Sequence, residues 1–338
     1  MTATVHEGLD LVALQRFFAE RGVPVEGELR AELISGGKSN LTFLIADDRT
    51  RWVLRRPPTA GLTPSAHDMA REYRVCHALR GSGVPVAPTV ALCTDERVMG
   101  APFAVTGFVE GRVVRTADDL AAFADAEVTA CTDELIRVLA ALHEVEPGAV
   151  GLDGFGRPEG YLTRQVTLWG RQWERVRTRE LPDLHRLHDR LAAAIPARSA
   201  VAIVHGDYRI DNTILAAPGR VAAVVDWELS TLGDPLADLA QMCTYRHPAL
   251  DTVIGVTAAW TSPRLPAAAE IAQRYAERTG RDLEAWGFYL GLAHLKLAVI
   301  AEGITHRHRA GATEGDGFEH AHRAVGPLVA AGLAALGE

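Results

Sequence analysis

The alternation of apolar and polar positions divides the chain into two differently built stretches. In residues 9–21 (LDLVALQRFFAER), Leu11, Leu14, Phe17 and Phe18 recur at helical spacing, and Gly22 stops the run. Residues 29–34 form a short strand candidate, followed by the loop Ser35, Gly36, Gly37, Lys38, Ser39. Residues 40–46 alternate, with Leu41, Phe43 and Ile45 on one face. After the turn at Asp47 and Asp48, residues 51–56 form a third strand that Pro57 and Pro58 stop. The connections are too short for crossovers, so this meander is expected to be antiparallel. A helix over 65–80 carrying Glu72 and two more strands near 89–94 and 103–109 complete a five-stranded sheet with a helix. After Gly111, Ala- and Leu-rich helical periodicity dominates, over about 118–145, 161–179, 183–194, 235–246, 267–278, 282–304 and 318–336. Two short apolar runs, at 201–204 and 221–225, interrupt it. The expectation is an α+β chain with a small antiparallel β-rich lobe over 1–108 and a larger helical lobe over 109–338.

Composition narrows the class. Of 338 residues, 48% are apolar and 23% charged, which excludes a disordered tail or a fibrous repeat. A net charge of -8 argues against a broad nucleic-acid surface, though not against a local basic pocket. The four cysteines include no C-x-x-C pair and read as small buried hydrophobes. The opening MTATVHEGLD has neither a basic nor an apolar leader region, and the apolar tail over 324–337 is interrupted by Pro327 and falls short of the ~18 residues a span needs. The expected setting is cytoplasmic, with no membrane partner.

Candidate chemistry lies in residues 201–239, VAIVHGDYRIDNTILAAPGRVAAVVDWELSTLGDPLADL. An apolar run ends at His205, Asp207 follows, and Asn212 lies five residues beyond it; a second apolar strand ends at Asp226, fourteen residues after Asn212. Two short strands around a hairpin would bring Asp207, Asn212 and Asp226 to one point. Phosphoryl transfer needs such a set. It requires positioning and charge neutralisation more than covalent chemistry. One carboxylate orients the attacking hydroxyl, while an Asn carbonyl and a second carboxylate are hard oxygen ligands of the kind Mg²⁺ prefers. The spacing from Asp207 to Asn212 is that of the kinase catalytic loop counted from its Asp.

HGDYRIDN followed by VDW resembles the aminoglycoside phosphotransferase family, a branch of the protein-kinase-like fold. With SGGKSN, VLRRPP and DWELSTLGDPLADLA, the chain resembles more closely the bacterial subgroup related to the kinase-like domain fused to some eukaryotic acyl-CoA dehydrogenases. The resemblance covers roughly residues 30–300 and implies a two-lobed kinase-like unit with its active site in the cleft. It implies that Asp207 is the catalytic Asp and that Asn212 and Asp226 are Mg²⁺ ligands. Gly36, Gly37, Lys38, Ser39 and Asn40 would cover the nucleotide phosphates, Glu72 would be the helix-C Glu, and the backbone over Val105, Gly107 and Val109 would meet adenine. The implied cofactors are ATP or GTP with Mg²⁺. One residue departs from the kinase V-A-I-K pattern: Trp52-Val53-Leu54-Arg55 carries Arg in place of Lys. Arg55 can still hold phosphate and pair with Glu72.

The implied activity is transfer of the γ-phosphoryl group to the hydroxyl of a small molecule. A hydroxyacyl compound is the first acceptor considered, an aminoglycoside or other antibiotic the alternative, and a non-catalytic nucleotide-binding pseudokinase a third reading. Arg209, inside the catalytic loop, either neutralises the transferred group or holds substrate. The run His306, Arg307, His308, Arg309 is either a solvated helix end or a patch for an anionic acceptor. Trp169, Trp173 and Trp286 are either core or pocket wall, and Lys296, two residues from His294, does not share its helix face. Asp238 and His205 are expected to brace the catalytic-loop backbone, and Asp234 before Pro235 to cap a helix.

Overall fold

A computed structural model describes residues 8–35, 40–58, 68–217, 219–311 and 318–337. The chain forms two compact units. The first contains Met1–Glu110 together with Ala223–Glu228, and the second contains Gly111–Ala222 and Leu229–Glu338.

In the first unit, α1 (Leu11–Glu20) precedes β1 (Arg30–Ser35), β2 (Leu41–Ala46) and β3 (Arg51–Arg56); α2 (Met69–Ala78), β4 (Thr89–Cys93) and β5 (Phe103–Gly107) follow. The five strands lie in the order β1-β2-β3-β5-β4, every pair antiparallel. Strand alternation sorts the side chains by face. Phe43, Ile45, Trp52, Leu54, Phe103 and Val105 form a core with Leu14, Phe17 and Phe18 of α1. Arg55 projects to the opposite face, where it pairs with Glu72 of α2. Asp10 caps α1 by accepting from the Val12 and Ala13 N–H groups, and Asp68 caps α2 through the Arg71 N–H.

The helical unit contains α3 (Ala117–Ala121), α4 (Asp125–Glu144), α5 (Tyr161–Val176), α6 (Pro182–Ala193), β6 (Ala202–Val204), β7 (Thr213–Ala217) and the start of β8 (Arg220–Val224). After these come β9 (Thr231–Gly233), α7 (Pro235–Thr244), α8 (Ala249–Ile254), α9 (Ala268–Thr279), α10 (Trp286–Arg309) and α11 (His322–Ala335). By length and composition α10 could cross a membrane, but most of it is buried as the core helix against α5, α6, α7 and α11.

The structure departs from the sequence expectations at particular places. The helix expected over 118–145 is broken at Ala124, which is extended (φ -68°, ψ 159°); its N–H donates to Glu127 Oε2 at 2.7 Å, so that a new helix starts there. The two apolar runs do not face each other across one hairpin. β6 pairs with β9, and β8 with β7, a strand whose short alternating run follows the loop directly. Helix α11 continues through Pro327, with Ala324, Val325, Leu328 and Val329 buried on its inner side. The boundary is also more than one chain position. Residues 223–228 join the first unit because the Val224 N–H donates to Pro85 O at 2.8 Å, Val224 bridges Val86, and Asp226 pairs with Arg55.

The segment leading out of β6 is fixed by Asp238 on α7. The His205 N–H donates to Asp238 Oδ2 at 2.7 Å and the Gly206 N–H to Oδ1 at 2.8 Å, while His143 Nε2 lies 3.1 Å from Oδ2. Asp238, His205 and His143 are buried and Gly206 is partly buried, so the bonds stand in for water. Gly206 adopts φ 85°, where a Cβ would meet Leu229 O at 2.8 Å; only glycine fits that turn without strain.

Two outcomes follow. Asp238→Ala leaves two buried backbone donors and His143 without their acceptor, and should cost about 2–5 kcal/mol of stability, read as a lowered urea midpoint. His294 donates its Nδ1–H to Leu290 O at 2.8 Å, and burial lowers its pKa to about 4. The unfolded chain takes up this proton first as pH falls below ~6.5. Stability should therefore fall by about 3 kcal/mol between pH 6.5 and 4, and His294→Leu should flatten that slope in denaturation curves taken across the same range.

Candidate active site

The predicted site residues collect in two sets, one in each unit. In the first unit, Arg55 stands between two carboxylates. Its Nη1 donates to Glu72 Oε1, and its Nη2 to Asp226 Oδ1 at 3.1 Å. Burial opposes the guanidinium charge, yet Glu72 and Asp226 hold its pKa above the ordinary value. Glu72 is buried, and burial raises its carboxyl pKa against the pull of Arg55. The Arg that replaces the kinase Lys thus uses its fork to span both acids, which a single ammonium could not do in the same geometry. Asp226 has φ 66° and, among the described residues, is the one non-glycine residue in the left-handed region. Asp tolerates this region better than most side chains, and such conformations gather at functional positions. Trp227, buried directly after it, donates its indole N–H to Val224 O at 3.0 Å and so fixes the turn.

Gly36, Gly37, Lys38 and Ser39 lie outside the described residues. Asn40 is buried next to β2. Val105 is a fully buried core residue, laddered between Leu54 and Ala91. The Gly107 N–H donates to Pro88 O at 2.7 Å and the Phe108 N–H to Arg51 O at 3.1 Å. Val109, partly buried, lies just beyond the strand. Val105 therefore belongs to the packing of the sheet, and the Gly107 donor is already engaged.

In the second unit the loop after β6 presents Asp207. Its Oδ1 accepts from the Tyr245 hydroxyl, and its Oδ2 from Asn212 Nδ2 at 2.9 Å. The same Asn212 nitrogen also donates to Asp207 O at 2.8 Å. Asn212 thereby commits its NH₂ to Asp207, which directs its carbonyl oxygen elsewhere. The Asp207 N–H donates to His205 Nδ1 at 3.3 Å, so His205 supports the backbone. Arg209 Nη1 pairs with Asp211 Oδ2 at 2.8 Å, its Nε lies 3.5 Å from Asp207 Oδ1, and its head stands 5.2 Å from the centre of the Tyr245 ring. Burial, helped by Asp207, holds the Tyr245 hydroxyl well above its ordinary pKa, so it remains a donor to the carboxylate. Burial raises Asp211 as well, with Arg209 opposing.

Asp234 caps α7 through the Leu236 N–H and also accepts from Ser199 and Tyr289. Trp173 is core, whereas Trp169 lies 5.9 Å from the Lys296 ammonium and lines a cavity with it. The run 306–309 is exposed at the end of α10. Sequence reasoning missed Tyr245, Gln241 and Lys296. A signal was available for the first two. Asp238, Gln241 and Tyr245 stand at i, i+3 and i+7, one face of α7, so the brace, the cavity residue and the donor to Asp207 form a single stripe. Lys296 gave no such signal, because nothing local says that its head reaches Gly206 O, 3.0 Å away.

Asn212 in the helical unit and Asp226 in the first unit each carry an oxygen of the kind a hard divalent cation takes. Both offer oxygen, and Asp226 keeps a carboxylate oxygen beyond the one that meets Arg55. Among the described residues no group of three or more His, Cys, Asp or Glu could hold a metal alone.

Residues 30–289 match the phosphotransferase enzyme family, APH. The chain is 35% identical over 315 residues to acyl-CoA dehydrogenase family member 11 of Gallus gallus, covering 91% of this chain and 40% of that protein's length. Among solved structures it is similar to a protein of Ralstonia eutropha JMP134 assigned as an aminoglycoside phosphotransferase (36% identity, TM-score 0.83, covering 96% of this chain and 98% of that one). It shares the fold of aminoglycoside phosphotransferase APH(4)-Ia in its ternary complex with AMP-PNP and hygromycin B (17% identity, TM-score 0.62, covering 95% and 99%). With the family match running through the sheet, the Asp207 loop and most of the helices, the chain belongs to the phosphotransferase enzyme family, with a kinase-like fold.

Proposed function

We propose that this protein is an ATP- and Mg²⁺-dependent small-molecule kinase that transfers the γ-phosphoryl group to an alcohol, with a hydroxyacyl compound as the acceptor class. The observation that carries the reading is the treatment of Asp207. Its carboxylate is oriented from two sides by Tyr245 and Asn212, on a backbone clamped by Asp238. A carboxylate held this way is placed to orient a hydroxyl and take its proton as the O–P bond forms. Arg55, anchored by Glu72, would hold nucleotide phosphate, and Asn212 and Asp226 would hold the metal. When bound, Mg²⁺ would neutralise charge on the phosphates. Asp207, Asn212 and Asp226 are all present, which supports turnover rather than a silent scaffold. Nucleotide use is supported by the AMP-PNP bound to APH(4)-Ia, and the hydroxyacyl class by the likeness to acyl-CoA dehydrogenase family member 11, of which this chain spans 40%.

ADP release against a library of hydroxyl compounds, with Asp226→Ala as the blank, tests the activity. Asp207→Ala should lower turnover of any acceptor found by about 10²–10⁴-fold. Full activity in that variant would end the assignment. Arg55→Lys retains a charge for Glu72 but cannot span both acids, so it should raise KM for ATP by about tenfold with a smaller loss in kcat. Initial rates over a range of ATP concentrations separate the two effects.

A further inference from the structure

Within the helical unit, a cavity of about 30 Å³ lies beside Gly206, the residue before Asp207. It is lined by Trp169 of α5, Asp238 and Gln241 of α7, and Tyr289 and Lys296 of α10. Its size decides what can enter. A cavity of this volume has room for a small polar group.

Its polar inventory leans towards donors. Lys296 donates to Gly206 O at 3.0 Å, and among the described residues no carboxylate lies within ion-pair distance of it, so two of its three N–H groups are uncommitted. Gln241 is 2% exposed, and its Nε2 has no hydrogen-bond partner. Unpaired donors of this kind are costly in a folded interior and call for an acceptor atom. Tyr161 and Gln165 also line the cavity, the Gln165 Oε1 accepting from the Trp169 indole N–H at 3.3 Å, and neither is hydrogen-bonded to Lys296 or Gln241; Asp238 and Tyr289 do not supply an acceptor either. Both oxygens of Asp238 are taken by His205, Gly206 and His143, and the Tyr289 hydroxyl by Asp234. Burial lowers the Lys296 pKa, with Asp207 and Asp238 opposing through space, and the Asp207 oxygens already accept from Tyr245 and Asn212.

We infer that Lys296 and Gln241 form a subsite for a carbonyl or carboxylate oxygen of the phosphoryl acceptor, so that the enzyme selects hydroxy acids or hydroxyacyl compounds over neutral or cationic alcohols. The inference rests on the phosphotransferase reading and deepens it. A hydroxyl at Asp207 and an oxygen acceptor at Lys296 mark the two ends of one substrate, joined past Gly206. A polycationic acceptor would bring its own ammonium groups to Lys296 and be repelled. Both residues act on substrate choice and not on the reacting atoms.

The test uses the full chain with ATP, Mg²⁺ and four matched four-carbon probes: 4-hydroxybutanoate, its N-acetylcysteamine thioester, 1,4-butanediol and 4-amino-1-butanol. Phosphoryl transfer is followed by ADP release, and binding by the acceptor-induced shift of Tm. Wild type should favour the acid or the thioester over the diol by about 10- to 100-fold in kcat/KM, the amino alcohol being poorest. Lys296→Met and, separately, Gln241→Leu should bring that ratio close to one, chiefly through KM, and remove the Tm shift given by the preferred acyl probe. A merely structural role would lower all four probes together and leave the ratio intact, which overturns the inference. Preference for the diol or amino alcohol in wild type overturns it too, as does absence of both transfer to the acyl probes and a Tm shift. The underlying reading is checked separately. Asp207-dependent ADP release without acyl selectivity defeats the subsite alone, whereas an Asp207→Ala variant as active as wild type defeats phosphotransfer, with the Tm shift still reporting on the subsite.

Discussion

The buried carboxylate of Asp238 is the constraint on which the helical unit's chemistry depends. A loop leaving a short strand must pair its backbone donors somewhere. Asp238 takes two successive N–H groups, at 2.7 and 2.8 Å, and is itself supported by His143, which reaches on to Tyr275 at 2.7 Å. The bonds to this backbone and to His143 keep the Asp238 pKa below its ordinary value despite complete burial. One acid therefore sets the path of the chain at His205 and Gly206 and, through it, the position of Asp207. The helix that carries this acid ends at Tyr245, so the backbone under Asp207 and the hydroxyl that donates to its carboxylate are referred to the same rigid element.

In the first unit the organising charge has the opposite sign. Arg55 stands between Glu72 and Asp226, so an element from α2, one from the middle of the sheet and one from late in the chain meet at one guanidinium. Residues 223–228 contribute a strand end, a left-handed aspartate and a buried tryptophan to a unit that is otherwise built from residues up to Glu110. A lysine could balance one carboxylate; the planar fork of arginine reaches two, which gives a physical reason for the altered residue on β3.

Local periodicity made the strands and most helices readable, because alternate burial in β2 and β3 and the apolar stripe of α1 are patterns of nearest neighbours in sequence. It did not reveal which strands pair. β6 meets β9 and β7 meets β8 for reasons that lie in long-range packing, and β9, only three residues long, has too little pattern to announce itself. The acids of the site were legible by type and spacing. The groups that finish them were less so. Tyr245 and Gln241 share a helical stripe with Asp238, a clue that becomes visible once that aspartate is known to face inward. Lys296 has no local signal, since its partner is a carbonyl ninety residues away.

The backbone at Asp226 bears on how such a protein loses activity. At φ 66° the residues that fit with little strain are glycine, asparagine and aspartate. Asparagine keeps the shape, the turn and a hydrogen-bond acceptor for Arg55 while removing the charge. An inert descendant is thus one substitution away and would lose little of its fold, whereas glutamate, chemically closer, would meet a backbone that resists it. At this position the backbone's demand and the proposed metal role fall on different atoms, so selection for a folded chain alone would not preserve the carboxylate.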